Sequence, residues 1–217
     1  SRQVLLLSCR TYADVVALLQ SAKSELNDIL AAFEYMDKGI VEMVLQEHGD
    51  KRLPSIDAPF TVLLETHGSN AEHDMEKMEK FLEKHDDRID DGILAQDLQQ
   101  AEECWHLREL CSPTVASLGY VYKYDLSLPI PQFQDFVDHM RMYLEANWND
   151  PVEVVNWGHV VDGNIHTNIV MPGVFEKEIG LLNLLEPYIF EKALEFGGSI
   201  SAEHGLGQCK NDYTHPG

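Results

Sequence analysis

The chain has 217 residues, 44% of them apolar and 24% charged, with 37 acidic against 16 basic side chains and a formal charge of -21. That length and composition allow a sizeable core, and the acidic balance argues against a nucleic-acid partner, which needs clustered Lys and Arg. No apolar run reaches the length of a bilayer span, and runs such as Val4 to Leu7 have strand length instead.

Read in chain order, β-branched and aliphatic runs alternate with helical patterns. Strands are predicted at 4–8, 29–35, 60–65, 120–125, 152–159 and 164–171, with a weaker one at 92–95. Helices are predicted at 13–25, 39–47, 71–84, 98–110, 131–146 and 175–196. The rhythm of the first hundred residues predicts an α+β fold, a ferredoxin-like antiparallel sheet with helices packed on one side. The polar connections at 49–59 and 86–92 are too short to be domain linkers, so residues 1–217 read as one domain. Cys9, Cys104, Cys111 and Cys209 form no Cys-x-x-Cys pair, which fits a reducing compartment. No targeting segment precedes the first strand, and Ser1 in place of an initiator Met points to a start that has been cut away.

The segment Gly158-His159-Val160-Val161-Asp162-Gly163-Asn164-Ile165-His166-Thr167-Asn168 carries the densest chemistry. Asp-Gly between two apolar runs signals a two-residue hairpin turn, because both central positions need positive φ. Counting outward pairs Val161 with Asn164, Val160 with Ile165 and His159 with His166, so the two imidazoles project together. Val161 and Asn168 fall on the same face. Two imidazoles hold a divalent ion only with further ligands, and Glu203 in Ser201-Ala202-Glu203-His204-Gly205 is the best third candidate. Such a set also suits a water-activating metal hydrolase, although no His-Glu-x-x-His motif is present.

These residues resemble the C-terminal domain of FAD-linked oxidases of the vanillyl-alcohol-oxidase type, whose pattern is Gly-His-x-Gly-Asp-Gly-Asn-x-His followed by Ser-x-Glu-His-Gly. The match continues through Phe60-Thr61-Val62-Leu63-Leu64-Glu65-Thr66-His67-Gly68-Ser69-Asn70, Trp105-His106-Leu107-Arg108-Glu109 and Gly119-Tyr120-Val121-Tyr122-Lys123-Tyr124-Asp125, in order and over nearly the whole chain. The resemblance implies FAD-dependent oxidation of a D-2-hydroxy acid, D-2-hydroxyglutarate before D-lactate. It implies a divalent ion, usually zinc, on His159, His166 and Glu203, and His204 as general base. Arg108, Ser112, Lys123 and Asn168 would then bind substrate. It further implies that the flavin is held mostly by a separate N-terminal domain that this chain lacks, with electron-transfer flavoprotein as acceptor and a mitochondrial location.

Without the resemblance, Arg108 reads as a helix-surface ion-pair partner of Glu102 or Glu109, and Lys123 as an exposed strand residue. The sequence departs from the family pattern at Val161, where the family has Gly, and at Thr167, where an aliphatic residue is common. A branched side chain at Val161 would crowd the ligand face, and little chain follows the Glu-His motif. Both features allow a second expectation, a non-catalytic truncated fragment that binds a partner.

Overall fold

The computed structural model of the chain describes residues 1–49 and 57–199. These residues divide into two compact units, one of residues 1–114 and 157–161, the other of 115–156 and the chain from 162 onward. The short connections hold no boundary; the chain instead changes unit inside a helix, inside a strand and once more inside the 3-10 turn after that strand.

The first unit runs β1 (Arg2–Cys9), α1 (Tyr12–Glu25), β2 (Leu30–Asp37), α2 (Lys38–His48), β3 (Phe60–His67), α3 (Ala71–Lys84), β4 (Asp91–Leu94) and α4 (Leu98–Glu109). Its strands lie in the order β4-β1-β3-β2, with β1 antiparallel to both β3 and β4 and β2 antiparallel to β3. This is the ferredoxin-like order, the expected α+β architecture, with α2 inserted between β2 and β3. Local chemistry sets the helix starts. Thr11 and Asp14 form a reciprocal capping box on α1, while Asp37, Asn70 and Asp97 cap α2, α3 and α4. Gly49, in the left-handed region at φ 53°, ends α2.

Helices α1 and α3 cover the face bearing Leu5, Leu7, Phe33 and Tyr35: Tyr12 of α1 packs edge-on against Tyr35 at 5.8 Å between ring centroids, and Leu82 of α3 lines a groove with Leu5 and Leu7. To that extent the helices lie on one side. The opposite face carries Val4, Leu6, Leu63, Glu65, Glu34 and Met36, and α4 lies over it, because Trp105 donates to Glu65 and Arg108 to Glu34.

A helix that straddles the two units follows, α5 (Cys111–Leu118). Pro113 sits in its first turn, where the missing N–H of proline has no intrahelical acceptor to lose. The second unit then runs β5 (Gly119–Ser127), α6 (Phe133–Asn147), β6 (Glu153–His159), β7 (Asn164–Pro172) and α7 (Ile179–Glu195), with the last three residues of β6 belonging to the first unit, where they pair with β2. The order in the second unit is β6-β7-β5, and after α7 Ser199 makes an isolated antiparallel bridge to Ser127. Strand, helix, two strands, helix and a return to the first strand therefore recur in the second unit, a structural repeat that leaves no repeat in the sequence. Helix α7 covers the Tyr122 and Tyr124 face of β5, with Tyr124 edge-on to Phe190 at 6.0 Å, and Tyr143 of α6 stacks on Tyr188 of α7 at 3.6 Å.

Among the described residues no helix is long and apolar enough to cross a membrane. Cys9, Cys104 and Cys111 are buried free thiols; burial pushes Cys9 and Cys111 up to about 12 and Cys104 up to about 11.

Gly198 abuts β5 so closely that an added Cβ would overlap the Ser127 carbonyl. The Gly198→Ala variant should therefore lose about 1–3 kcal/mol of stability by urea unfolding.

Candidate functional site

In place of the expected two-residue turn, β6 ends at His159, residues 160–162 form a 3-10 turn, and β7 starts at Asn164. Only Gly163 of the Asp-Gly pair takes positive φ, at 69°; a non-glycine residue pays a steric penalty there, and Asp162 avoids it by joining the 3-10 turn. This corrects the outward count, since Val160 and Val161 are turn residues rather than strand residues facing Ile165 and Asn164. Val161 does not share a strand face with His159, and its carbonyl accepts from Lys23 Nζ at 3.0 Å.

Each histidine faces a carboxylate. In the first unit, His159 lies opposite Glu34 in the β2–β6 ladder, and its Nδ1 pairs with Glu34 Oε1. The other oxygen, Oε2, accepts from Arg108 Nε at 2.9 Å. The Glu34 side chain is 3% exposed and that of Arg108 13%. Arg108 thus pairs across to the sheet, and Glu102 and Glu109 are not its partners among the described residues. Burial disfavours the charged form of Glu34, but the His159 bond and the Arg108 charge outweigh it and hold the carboxyl below its ordinary value.

In the second unit, His166 lies opposite Asp125 in the β5–β7 ladder, and its Nδ1 meets Asp125 Oδ1 at 2.6 Å. The same register opposes Lys123 to Asn168 and Ser127 to Asn164. Opposed residues share a face, so Lys123, Asp125, Ser127, Asn164, His166 and Asn168 form a polar face on the side of the ladder away from Tyr122 and Tyr124. Three predicted residues, Lys123, His166 and Asn168, are brought together there. Lys123 is exposed, while Asn168 is buried and donates from Nδ2 to the His166 carbonyl at 3.0 Å. Asn164 is buried at 3% exposure, and neither polar atom of its side chain has a hydrogen-bond partner among the described residues. Such a group calls for a partner.

Ser112 is exposed in the first turn of α5, one helical turn along the chain from Arg108. Glu203 and His204 lie outside the described residues. Among the described residues no three His, Cys, Asp or Glu side chains converge as a metal site. The donor chemistry of the two histidines nonetheless fits a divalent ion. A carboxylate on Nδ1 fixes the proton there and puts the ring lone pair on Nε2, the arrangement in which metal-ligating histidines are held.

Sequence reasoning missed Glu34 and Asp125. Their signal was an acidic residue inside a strand-forming run, Phe33-Glu34-Tyr35 and Tyr124-Asp125-Leu126, where a charge is costly unless it is paired.

Residues 1–216 match the family described as FAD linked oxidases, C-terminal domain. The chain is 38% identical over 214 residues to a mitochondrial D-2-hydroxyglutarate dehydrogenase of Danio rerio, a match covering 98% of this chain and 39% of that protein. It is 39% identical over 226 residues to a putative mitochondrial D-lactate dehydrogenase of Schizosaccharomyces pombe, covering 99% of this chain and 42% of that one. The chain therefore spans about two fifths of the length of these relatives. Among solved structures, an alkyldihydroxyacetonephosphate synthase shares the fold, with a TM-score of 0.61 at 11% identity over 93% of this chain and 40% of its own.

On the α4 face a second buried carboxylate, Glu65, receives Arg2 Nε at 2.9 Å, Trp105 Nε1 and His67 Nε2. Burial works against its charge, but these donors hold it below its ordinary value. A depressed carboxyl contributes stability above its unfolded pKa and loses it as pH falls through the folded one. Glu65→Gln should cost roughly 1.5–3 kcal/mol at neutral pH. It should also flatten the decline in urea midpoint between about pH 5 and pH 3.

Proposed function

The chain belongs to the family of FAD linked oxidases, C-terminal domain, and on that premise we propose that the protein containing it oxidises a D-2-hydroxy acid, with D-2-hydroxyglutarate as substrate. One observation supports the catalytic reading most: each histidine of the motif pairs through Nδ1 with a carboxylate, the orienting partner that a metal ligand needs.

His159, His166 and Glu203 would hold a divalent ion, zinc by resemblance to the family. A bound ion would supply Lewis-acid polarisation of the substrate hydroxyl, and FAD would supply the hydride acceptor. The residues of the chain supply placement and proton transfer. Arg108 commits Nε to Glu34, which leaves its end-on pair of η nitrogens, the geometry that meets a carboxylate bidentately. Lys123 and Asn168, paired across the β5–β7 ladder, would bind the other polar end of the substrate, and Ser112 would add a hydroxyl beside Arg108. His204 would take the hydroxyl proton, since imidazole titrates near neutrality. The expected flavin-binding domain would be supplied by sequence beyond this chain, in keeping with its share of the relatives' length. Electron-transfer flavoprotein is the proposed acceptor, and the names of the relatives support a mitochondrial location.

D-Lactate is the second reading, favoured by the name of the Schizosaccharomyces pombe relative. The two substrates differ in a second carboxylate, so Arg108 separates them. In the full-length enzyme, Arg108→Ala should raise KM for D-2-hydroxyglutarate at least about tenfold, the cost of a lost charge-assisted pair, and raise it less for D-lactate. Equal effects on both would remove the proposed role. His166→Ala should abolish bound metal and turnover while leaving the flavin absorbance intact; metal retained by elemental analysis would refute the ligand assignment.

A further inference from the structure

We propose that Glu34 is a positioning residue that serves the metal ligand and the substrate-carboxylate ligand at once, one oxygen to each. Its role rests on the functions given above to His159 and Arg108, and all three residues lie in the first unit.

Glu34 occupies an interior position of β2 between Phe33 and Tyr35, both 1% exposed, and is itself 2% exposed. A carboxylate there is tolerated only with donors on its oxygens. The β2–β6 register supplies one donor by setting His159 opposite Glu34, so that Nδ1 meets Oε1. Helix α4 supplies the other, Arg108 Nε on Oε2 at 2.9 Å. Neither contact can be exchanged for the other, because the two donors arrive from different elements and each takes its own oxygen.

Fold stability alone accounts poorly for this arrangement. Helix α4 is already tied to the same face one turn earlier, through Trp105 and Glu65. A buried ion pair adds little stability over apolar residues of similar volume. What the pair adds is orientation: the Nδ1 bond sets the ring tautomer and rotation of His159, and the Nε bond turns the guanidinium so that its η pair faces away from Glu34. Glu65 shares with Glu34 its face and a partner on α4 and is nearly as buried, 5% exposed against 2%, yet it pairs with none of the residues assigned to metal or substrate. It is an internal control for a buried carboxylate that only holds structure.

The test uses the full-length holoenzyme with Glu34→Gln, Glu65→Gln and His159→Ala. Glutamine keeps the size of Glu34 but offers one acceptor oxygen and one NH2, so only one of the two donors can be satisfied. For Glu34→Gln, zinc affinity measured by chelator competition should fall about 10–100-fold. At saturating zinc kcat should recover, while KM for D-2-hydroxyglutarate stays raised, a split that general destabilisation does not produce. Glu65→Gln should lower the unfolding temperature and leave zinc affinity and KM within about twofold of the parent. Unchanged zinc affinity and KM in Glu34→Gln, alongside zinc lost from His159→Ala, would overturn the role of Glu34 alone. Losses of equal size in Glu34→Gln and Glu65→Gln would overturn it in favour of structure. Zinc retained by His159→Ala would overturn the ligand role of His159 on which the proposal stands.

Discussion

A carboxylate on the buried face of a sheet must be met by donors, and this constraint organises the first unit. Glu65 on β3 and Glu34 on β2 point to the same face, and that face cannot be covered by an arbitrary apolar helix. Helix α4 fits because it carries Trp105 and Arg108 one turn apart, each reaching one carboxylate. Desolvation of the acids is thereby offset, and the same contacts determine the rotation of α4 about its axis and the placement of Arg108. The fold and the polar cluster share one origin.

The second unit solves the same problem on a simpler scale. Its βαββ layer gives one face to α6 and α7, through Tyr124, Phe190 and the stacked Tyr143 and Tyr188. The alternation of β5 then puts Lys123, Asp125 and Ser127 on the other. A strand reading Tyr-Lys-Tyr-Asp-Leu-Ser is thus amphipathic in a functional sense, with aromatic anchors facing helices and polar groups facing Asn164, His166 and Asn168.

Most of the architecture was legible because it follows from short-range pattern. Every predicted strand and helix is present, with ends shifted by a few residues, and the ferredoxin-like order follows from their sequence. Helix α5, absent from the predicted elements, is only eight residues long, too short for an apolar period to stand out. The Asp-Gly corner was misjudged because a dipeptide signal does not reveal that Asp162 joins a 3-10 turn and leaves positive φ to Gly163 alone. The histidines could be singled out from the motif they carry. Their carboxylate partners could not, since Glu34 lies 125 residues before His159 and Asp125 lies 41 before His166, distances that only strand pairing closes. Arg108 reads as a surface residue only without the family resemblance, and its partner Glu34 lies 74 residues away across the sheet.

The bridge between Ser127 and Ser199 ties the chain that leaves α7 back to the strand that opens the second unit. Two hydrogen bonds, at 3.0 and 2.7 Å, pin the chain to β5 two residues from Asp125. Detaching the end of α7 therefore also breaks main-chain bonds of β5, so the helix end and the strand edge must open together.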